Sequence, residues 1–88
     1  MAWTIEFARS AEKALAKLDR PTAQRILRFL KERVAVEPRS IGEPLKGELS
    51  EFWRYRVGDY RLYTVIEDDL LTVLVVKLGH RRGIYRKK

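Results

Sequence analysis

The chain has 88 residues, with 19 lysines and arginines against 12 acidic residues, and a formal charge of +7. This length predicts one domain, residues 1–88, with a modest hydrophobic core. The absence of cysteine and the single histidine exclude a disulfide framework and a Cys/His metal site, and no phosphate-binding loop or other cofactor motif is found. Without a signal peptide or an apolar run of membrane-spanning length, we expect a cytoplasmic protein with no membrane partner. The high positive charge indicates a polyanionic partner.

The first half of the chain is typical of a strand followed by two helices. Trp3–Phe7 alternates apolar and polar residues and predicts a short strand. Ser10 is the expected N-cap of a first helix that ends near Leu18. Pro21 suits the first turn of a second helix, which should reach about Val36. The apolar positions of that second helix form one stripe: Ala23, Ile26, Leu27, Leu30 and Val34.

The second half predicts three strands. Residues 37–51 contain prolines and glycines and are expected to be the longest irregular segment. Residues 52–66 alternate around Gly58-Asp59, which predicts a β-hairpin with a two-residue turn. A second turn at residues 67–69 precedes a nearly continuous apolar run, residues 70–78, typical of a central strand covered on both faces. This order predicts an α+β fold, in which the N-terminal strand and a helical hairpin pack on one face of a small, mainly antiparallel sheet.

The expected register of the β-hairpin places three arginines on one face. Across the turn Arg56 faces Arg61, and Arg54 faces Tyr63, while apolar and aromatic side chains share the opposite face. Like charges placed directly opposite each other destabilise a sheet, so the arrangement makes sense if a polyanion lies on it. Guanidinium groups hold phosphate oxygens and stabilise extra charge on a phosphate in a transition state. The other interpretation is an ordinary solvated basic face.

The C-terminal tail adds further candidate residues. Arg81, Arg82 and Tyr85 follow the last predicted strand and can fold back beside the arginines. Nearby arginines would favour the phenolate form of Tyr85, whose ring can instead stack on a base or anchor the tail to the core. His80 is the only side chain that ordinarily titrates near neutral pH, although a lone histidine after a strand is more often structural.

These motifs resemble the RelE/ParE superfamily of bacterial toxin–antitoxin systems over nearly the whole chain. The resemblance comprises the opening strand with its helical hairpin, the segment Glu43-Pro44-Leu45-Lys46-Gly47, the arginine-bearing hairpin, and the run from Gly79 to Tyr85. It implies the toxin of a type II system. It also implies an acidic, RelB-like antitoxin as partner, in a toxin–antitoxin hetero-oligomer.

RelE-type members are ribosome-dependent endoribonucleases that use no metal. The resemblance therefore implies that this chain cuts messenger RNA in the ribosomal A site, in contact with ribosomal RNA, by attack of the 2′-hydroxyl on the adjacent phosphate. It implies catalytic roles for Arg54, Arg56, Arg61, Arg81 and Tyr85. RNA contacts are expected from Arg54, Arg56, Arg82 and Lys46. Since arginine cannot accept a proton, Tyr85 is the first choice for the base. Glu43, by analogy with YoeB-like toxins, and then His80 are the next choices.

Two other functions stay open. The ParE branch shares the fold but inhibits DNA gyrase, which would make the chain a protein-binding toxin rather than a nuclease. Charge and pattern also fit a plain basic nucleic-acid-binding domain. Cleavage of RNA in translating ribosomes would support only the endoribonuclease, whereas DNA damage signalling with intact messages would point to the gyrase inhibitor.

Overall fold

The computed structural model describes residues 2–80 and residue 82, which form two layers. The helices are α1 (Arg9–Ala16) and α2 (Arg20–Phe29), and the strands are β1 (Thr4–Phe7), β2 (Glu43–Pro44), β3 (Phe52–Val57), β4 (Tyr60–Glu67) and β5 (Thr72–His80). The strands form one sheet in the order β1-β5-β4-β3-β2, with β1 parallel to β5 and the other neighbours antiparallel. The predicted α+β fold is confirmed. None of the helices in the described part of the chain has the length and apolarity to cross a membrane.

Helix α1 begins two residues earlier than predicted, because Ala8 and not Ser10 occupies the N-cap position. Ser10 lies in the first turn, where its hydroxyl donates a hydrogen bond to the backbone carbonyl of Val76 at 3.0 Å. The prediction of Ser10 as the N-cap was wrong, because an acceptor on β5 takes the hydroxyl that would otherwise cap the helix. The bond instead fixes α1 to the sheet.

Helix α2 begins as predicted, with Pro21 in its first turn. Its N-cap is Asp19, whose carboxylate accepts a hydrogen bond from the backbone N–H of Thr22 at 3.2 Å. This bond lowers the pKa of Asp19 and satisfies one of the unpaired N–H groups at the helix start. The short connection from α1 thus ends at a capping aspartate and a proline that are two residues apart in the sequence.

The apolar stripe of the second helix is narrower than predicted. Ile26, Leu30 and Val34 are buried, but Leu27 keeps 43% of its surface exposed, so its predicted place in the core was wrong. Leu27 lies about 100° around the helix axis from Ile26 and lines an open cleft beside β1, where its packing is incomplete. The helical backbone continues as a π-helical turn over Leu30–Val34 and ends two residues before the predicted Val36.

The segment between the helices and the hairpin is more ordered than predicted. Strand β2 adds a short edge to the sheet by pairing with β3. The indole N–H of Trp53 donates to the carbonyl of Ile41 at 2.8 Å. Gly42 has φ +77°, and a Cβ there would lie 2.5 Å from the carbonyl oxygen of Arg54, so only glycine fits. This close approach holds Glu43 beside β3.

The arginine hairpin, formed by β3, β4 and their turn, has the predicted register. Arg56 lies opposite Arg61 and Arg54 lies opposite Tyr63. The other face of the hairpin packs under the helices, where Tyr55 is fully buried and meets the ring of Phe29 edge-on at 6.1 Å. The Tyr55 hydroxyl donates to the carbonyl of Pro38 at 2.6 Å, and burial raises the pKa of this phenol. The arginines are therefore on the face away from the helices, called here the open face.

Strand β5 is an inner strand, as predicted, but it begins at Thr72. Leu70 and Leu71 lie exposed in the preceding turn, where Leu71 has φ +48°. Within residues 2–80 and 82, the helices cover only one face of β5, and Leu74 and Val76 on the strand are half-buried. The predicted burial on both faces is therefore incomplete in the described part of the chain.

A β-bulge changes which side chains of β5 reach the open face. Tyr63 pairs with Lys77, whereas the next residue, Thr64, pairs with Val75, so the register skips Val76. Strict alternation would place Lys77 on the same face as Val75, in the core. The bulge turns Lys77 to the open face instead, which is a common effect of bulges near functional sites.

Candidate site on the open face of the sheet

Two rows of paired residues cross the open face. The first row contains Glu43, Arg54, Tyr63 and Lys77. The second row contains Arg56, Arg61 and Gly79. Because paired residues share a face of the sheet, four cations and a phenol lie on one surface. Glycine has no side chain, so the second row ends on β5 without a side chain beside Arg61.

Arg61 is the cation most enclosed by the protein in the second row. It is half-buried, while its neighbour Arg56 is exposed. The Nε atom of Arg61 is buried and has no hydrogen-bond partner among the described residues. A buried donor without a partner costs free energy, and a phosphate oxygen is a strong acceptor for it. Cross-strand neighbours stand about 5 Å apart at Cβ, so both guanidinium groups can reach one phosphate.

Glu43 lies in the first row, in an ion pair with Arg54. The Nη2 atom of Arg54 donates to Oε2 of Glu43. That hydrogen bond, helped by the charges of Arg56 and Lys46, lowers the pKa of Glu43. A carboxylate held ionised in this way is a poor proton acceptor. A bound phosphate would have to draw Arg54 away before Glu43 could act as a base.

His80 is not brought together with the arginines. It pairs with Tyr60, and the two rings meet edge-on with their centroids 5.4 Å apart. Tyr60 shares the helix-side face of the hairpin with Leu62, so His80 points away from the open face. Its Nδ1 accepts a hydrogen bond from the backbone N–H of Arg82 at 3.3 Å. This position separates the third-choice base from the predicted site.

The remaining predicted residues are distributed around this site. Arg81 and Tyr85 lie outside the described residues. Lys46 is exposed and close enough to Glu43 to affect its pKa, and Arg82 is exposed. Within the described ranges, no group of three or more histidine, cysteine, aspartate and glutamate side chains is arranged to hold a metal ion.

Sequence reasoning did not select Tyr63 or Lys77 as site residues. The position of Tyr63 follows from the two-residue turn, since that turn alone sets Arg54 opposite it. The sequence gives a weaker indication for Lys77, which is the only charged residue between positions 70 and 78. Because alternation would have buried it, its place on the open face depends on the bulge.

Proteins of similar sequence are toxins. The family described as "ParE toxin of type II toxin-antitoxin system, parDE" matches residues 5–85. Toxin RelG of Mycobacterium tuberculosis is 33% identical over 87 residues, a match that covers 99% of this chain and 100% of RelG. Both matches include most of β1, the two helices and the arginine hairpin.

Solved structures of toxins have the same fold. A chain of the toxin–antitoxin complex RelBE2 from M. tuberculosis superposes with a TM-score of 0.86 at 31% identity, covering 92% of this chain and 93% of that one. The isolated E. coli RelE toxin gives a TM-score of 0.77 at 25% identity, covering 90% of this chain and 84% of RelE. With the family match over residues 5–85 and the full-length match to RelG, the chain belongs to the RelE/ParE superfamily of toxins from type II toxin–antitoxin systems.

Proposed function

We propose that this toxin cleaves messenger RNA on the ribosome, by attack of the RNA 2′-hydroxyl on the adjacent phosphate and without a metal ion. The observation that carries the proposal is the pair Arg56 and Arg61 on the open face, with the Nε of Arg61 lacking a partner among the described residues. Two cations placed opposite each other repel, and a phosphate that gains negative charge as it reacts offsets this repulsion.

The open-face residues divide this work by their chemistry. Arg56 and Arg61 bind the non-bridging oxygens of the scissile phosphate and balance its growing charge. Arg54 exchanges Glu43 for a phosphate oxygen when RNA binds, and Lys77 adds a fourth positive charge on the same surface. As the bond between phosphorus and the 5′-oxygen breaks, Arg81, assigned from the resemblance, stabilises charge on the scissile phosphate or on that leaving oxygen.

The proton of the 2′-hydroxyl needs an acceptor, and Tyr85 is the proposed base. Glu43 is paired with Arg54, His80 lies on the other face, and arginine cannot accept a proton. Tyr85→Phe is therefore expected to lose most of the cleavage although it keeps the ring, while His80→Gln should cleave like the wild type. Single-turnover cleavage on programmed ribosomes isolates this chemical step. Full activity of Tyr85→Phe together with an inactive Glu43→Gln would assign the base to Glu43.

Mapping of messenger RNA 5′ ends after induced expression in a bacterium tests the nuclease function. We expect new ends at in-frame positions within translated regions, and none in cells that express Arg61→Ala at the same level. The cuts should disappear when translation initiation is blocked, because cleavage needs the ribosome. Intact messages in growth-arrested cells would contradict the proposal.

A gyrase-directed toxin is the second candidate function. It is favoured by the matching family, whose description names the ParE toxin. In that case the open face would bind a protein, and growth arrest would be accompanied by DNA damage signalling with intact messages. Purified toxin would then inhibit gyrase supercoiling, and the Arg61→Ala ribosome assay would show no difference from the wild type.

We also propose that an acidic antitoxin binds this toxin. The charge of +7 favours such a partner, and related toxins are found in complexes, such as the intact E. coli RelBE toxin–antitoxin complex. A flexible acidic segment can cover the open face while it folds. Expression of the native operon is expected to yield a complex that co-purifies at low salt and does not cleave RNA. Recovery of free, active toxin from healthy cells would contradict this expectation.

A further inference from the structure

Two adjoining clefts form a groove along the edge of β3. The first has a volume of about 360 Å³ and reaches from α2 to Glu43 and Arg54. The second, of about 370 Å³, reaches from α2 to Gly58 in the hairpin turn. Phe29, Arg33 and Arg56 line both clefts, so the two clefts adjoin. We call it the α2–β3 groove.

The groove exists because the edge strand β2 is short. It pairs with β3 only at Trp53 and Arg54. On this edge of β3, no described strand pairs with residues 55–57, whose other edge pairs with β4. Helix α2 and its π-helical turn form the opposite wall, so the uncovered strand edge becomes the floor of a channel. Natural sheets often protect such edges with charged side chains.

Positive charge dominates the groove. Its walls carry five arginines and two glutamates: Arg25, Arg28, Arg33, Arg54, Arg56, Glu32 and Glu43. Glu43 is paired with Arg54, whereas Arg25, Arg28 and the other two arginines form no ion pair with any described residue. The guanidinium of Arg25 extends over the hairpin turn, where a Cβ on Gly58 would lie 3.0 Å from its Nη1. Arginines from the helix and from the strand thus face one channel.

We propose that the α2–β3 groove binds the phosphodiester backbone of single-stranded RNA that continues from the open face. This inference rests on the proposed function, because the same strand would occupy both places. Arg54 and Arg56 belong to both the groove and the open face, so the backbone meets cations without interruption. Residues 54–58 span roughly 13 Å, which is enough for a few nucleotides of a single strand. Phe29 lines both clefts and offers a ring to a base.

An acidic protein segment is a weaker fit to the groove. Stable protein interfaces depend on apolar anchors that fill pockets. The groove has three large apolar lining residues, of which Val57 is buried and Phe29 and Ile41 are half-buried. Guanidinium groups bind phosphate oxygens in bidentate geometry, and an RNA backbone carries such phosphates at regular intervals. Its binding is mainly electrostatic and does not need apolar anchors.

The test compares two variants that each lose three positive charges. The groove variant replaces Arg25, Arg28 and Arg33 with glutamine. The control variant replaces Arg9 and Lys13 of α1, and Lys17 at its C-cap, with glutamine, and all three side chains are exposed. The probe is a fluorescent single-stranded RNA with 2′-O-methyl groups throughout, which cannot be cut by 2′-hydroxyl attack. Its affinity is measured by anisotropy over a range of salt concentrations, after circular dichroism has shown that both variants are folded.

The groove variant should lose affinity in a way that reports phosphate contacts. Each contact to a single strand contributes about 0.7 to the slope of log K against log salt. Loss of three contacts should reduce that slope by about 2 and weaken binding about 100-fold at about 0.1 M salt. The control variant should keep the wild-type slope and affinity within a few-fold, since α1 lies over β5 and away from the groove.

The outcomes separate this inference from the proposed function. Equal losses in both variants, or no loss in the groove variant, would overturn the groove as an RNA site. Poly-glutamate that binds the groove more tightly than the RNA does would assign it to an acidic protein instead. If the toxin cleaves RNA on the ribosome but the groove variant binds RNA as tightly as the wild type, the groove is rejected as an RNA site and the nuclease function is kept. If the groove variant loses RNA affinity but the wild-type toxin does not cleave RNA, the nuclease function is rejected and the groove is kept as an RNA site.

Discussion

Replacement of Arg61 with alanine is expected to slow cleavage of ribosome-bound messages by about 10²–10³-fold, as removal of one donor to a developing oxyanion does. Arg61 is half-buried, and its Nε has no partner among the described residues. The exposed Arg56 cannot take its place, because the substitution leaves only one guanidinium of the cross-strand pair. Single-turnover rates on programmed ribosomes measure the effect directly.

Stability measurements separate this catalytic role from a structural one. Arg61→Ala should leave the free energy of unfolding unchanged or raise it, because it removes both the repulsion from Arg56 and an unsatisfied buried donor. Arg61→Lys should recover only part of the rate, since an ammonium does not reproduce a planar fork. Lys13→Ala, which removes one charge from α1, is the matched control and should cleave like the wild type. A large drop in Tm for Arg61→Ala would identify a structural arginine.

Truncation of Leu30 to alanine is expected to lower the free energy of unfolding by about 2–5 kcal/mol. Leu30 is 1% exposed and belongs to the core cluster that includes Ile26, Tyr55 and Leu62. Small domains have only about 5–15 kcal/mol of total stability, so this loss is a large fraction of it. Urea denaturation with an unchanged m-value would measure it.

Leu27 provides the control for this prediction. It lies one turn before Leu30 in the same continuous helical segment and undergoes the same chemical change, but it is 43% exposed. Leu27→Ala should therefore cost only about 1 kcal/mol, because less apolar surface returns to water and no enclosed cavity forms. Equal decreases in the free energy of unfolding for the two variants would show that Leu27 contributes more to stability than its buried surface explains.

Local chemistry explains which features of the fold could be predicted. The two-residue turn at Gly58-Asp59 sets the register of both flanking strands, so Arg56 opposite Arg61 was correct. Pro21 at the start of α2 was also correct, since its backbone geometry suits a first helical turn. Each of these depends on residues that are adjacent in the sequence.

Predictions failed where a distant part of the chain competed with a local preference. Ser10 gives its hydroxyl to the carbonyl of Val76 and does not cap α1. Residues 43 and 44 form a strand only because β3 pairs with them. Leu27 matches a helical stripe, but the sheet covers a narrower part of the helix than the stripe suggests.

The sequence by itself determined the two-layer α+β class and the face on which the three hairpin arginines lie, because turn chemistry and side-chain alternation act over short distances. Only the tertiary structure decided that Lys77 joins the open face and that His80 leaves it, since both depend on a bulge in the pairing of β5 with β4. It also decided that the arginines of α2 face the uncovered edge of β3. These placements come from packing between segments far apart in the chain, and no local pattern encodes the energies of such contacts.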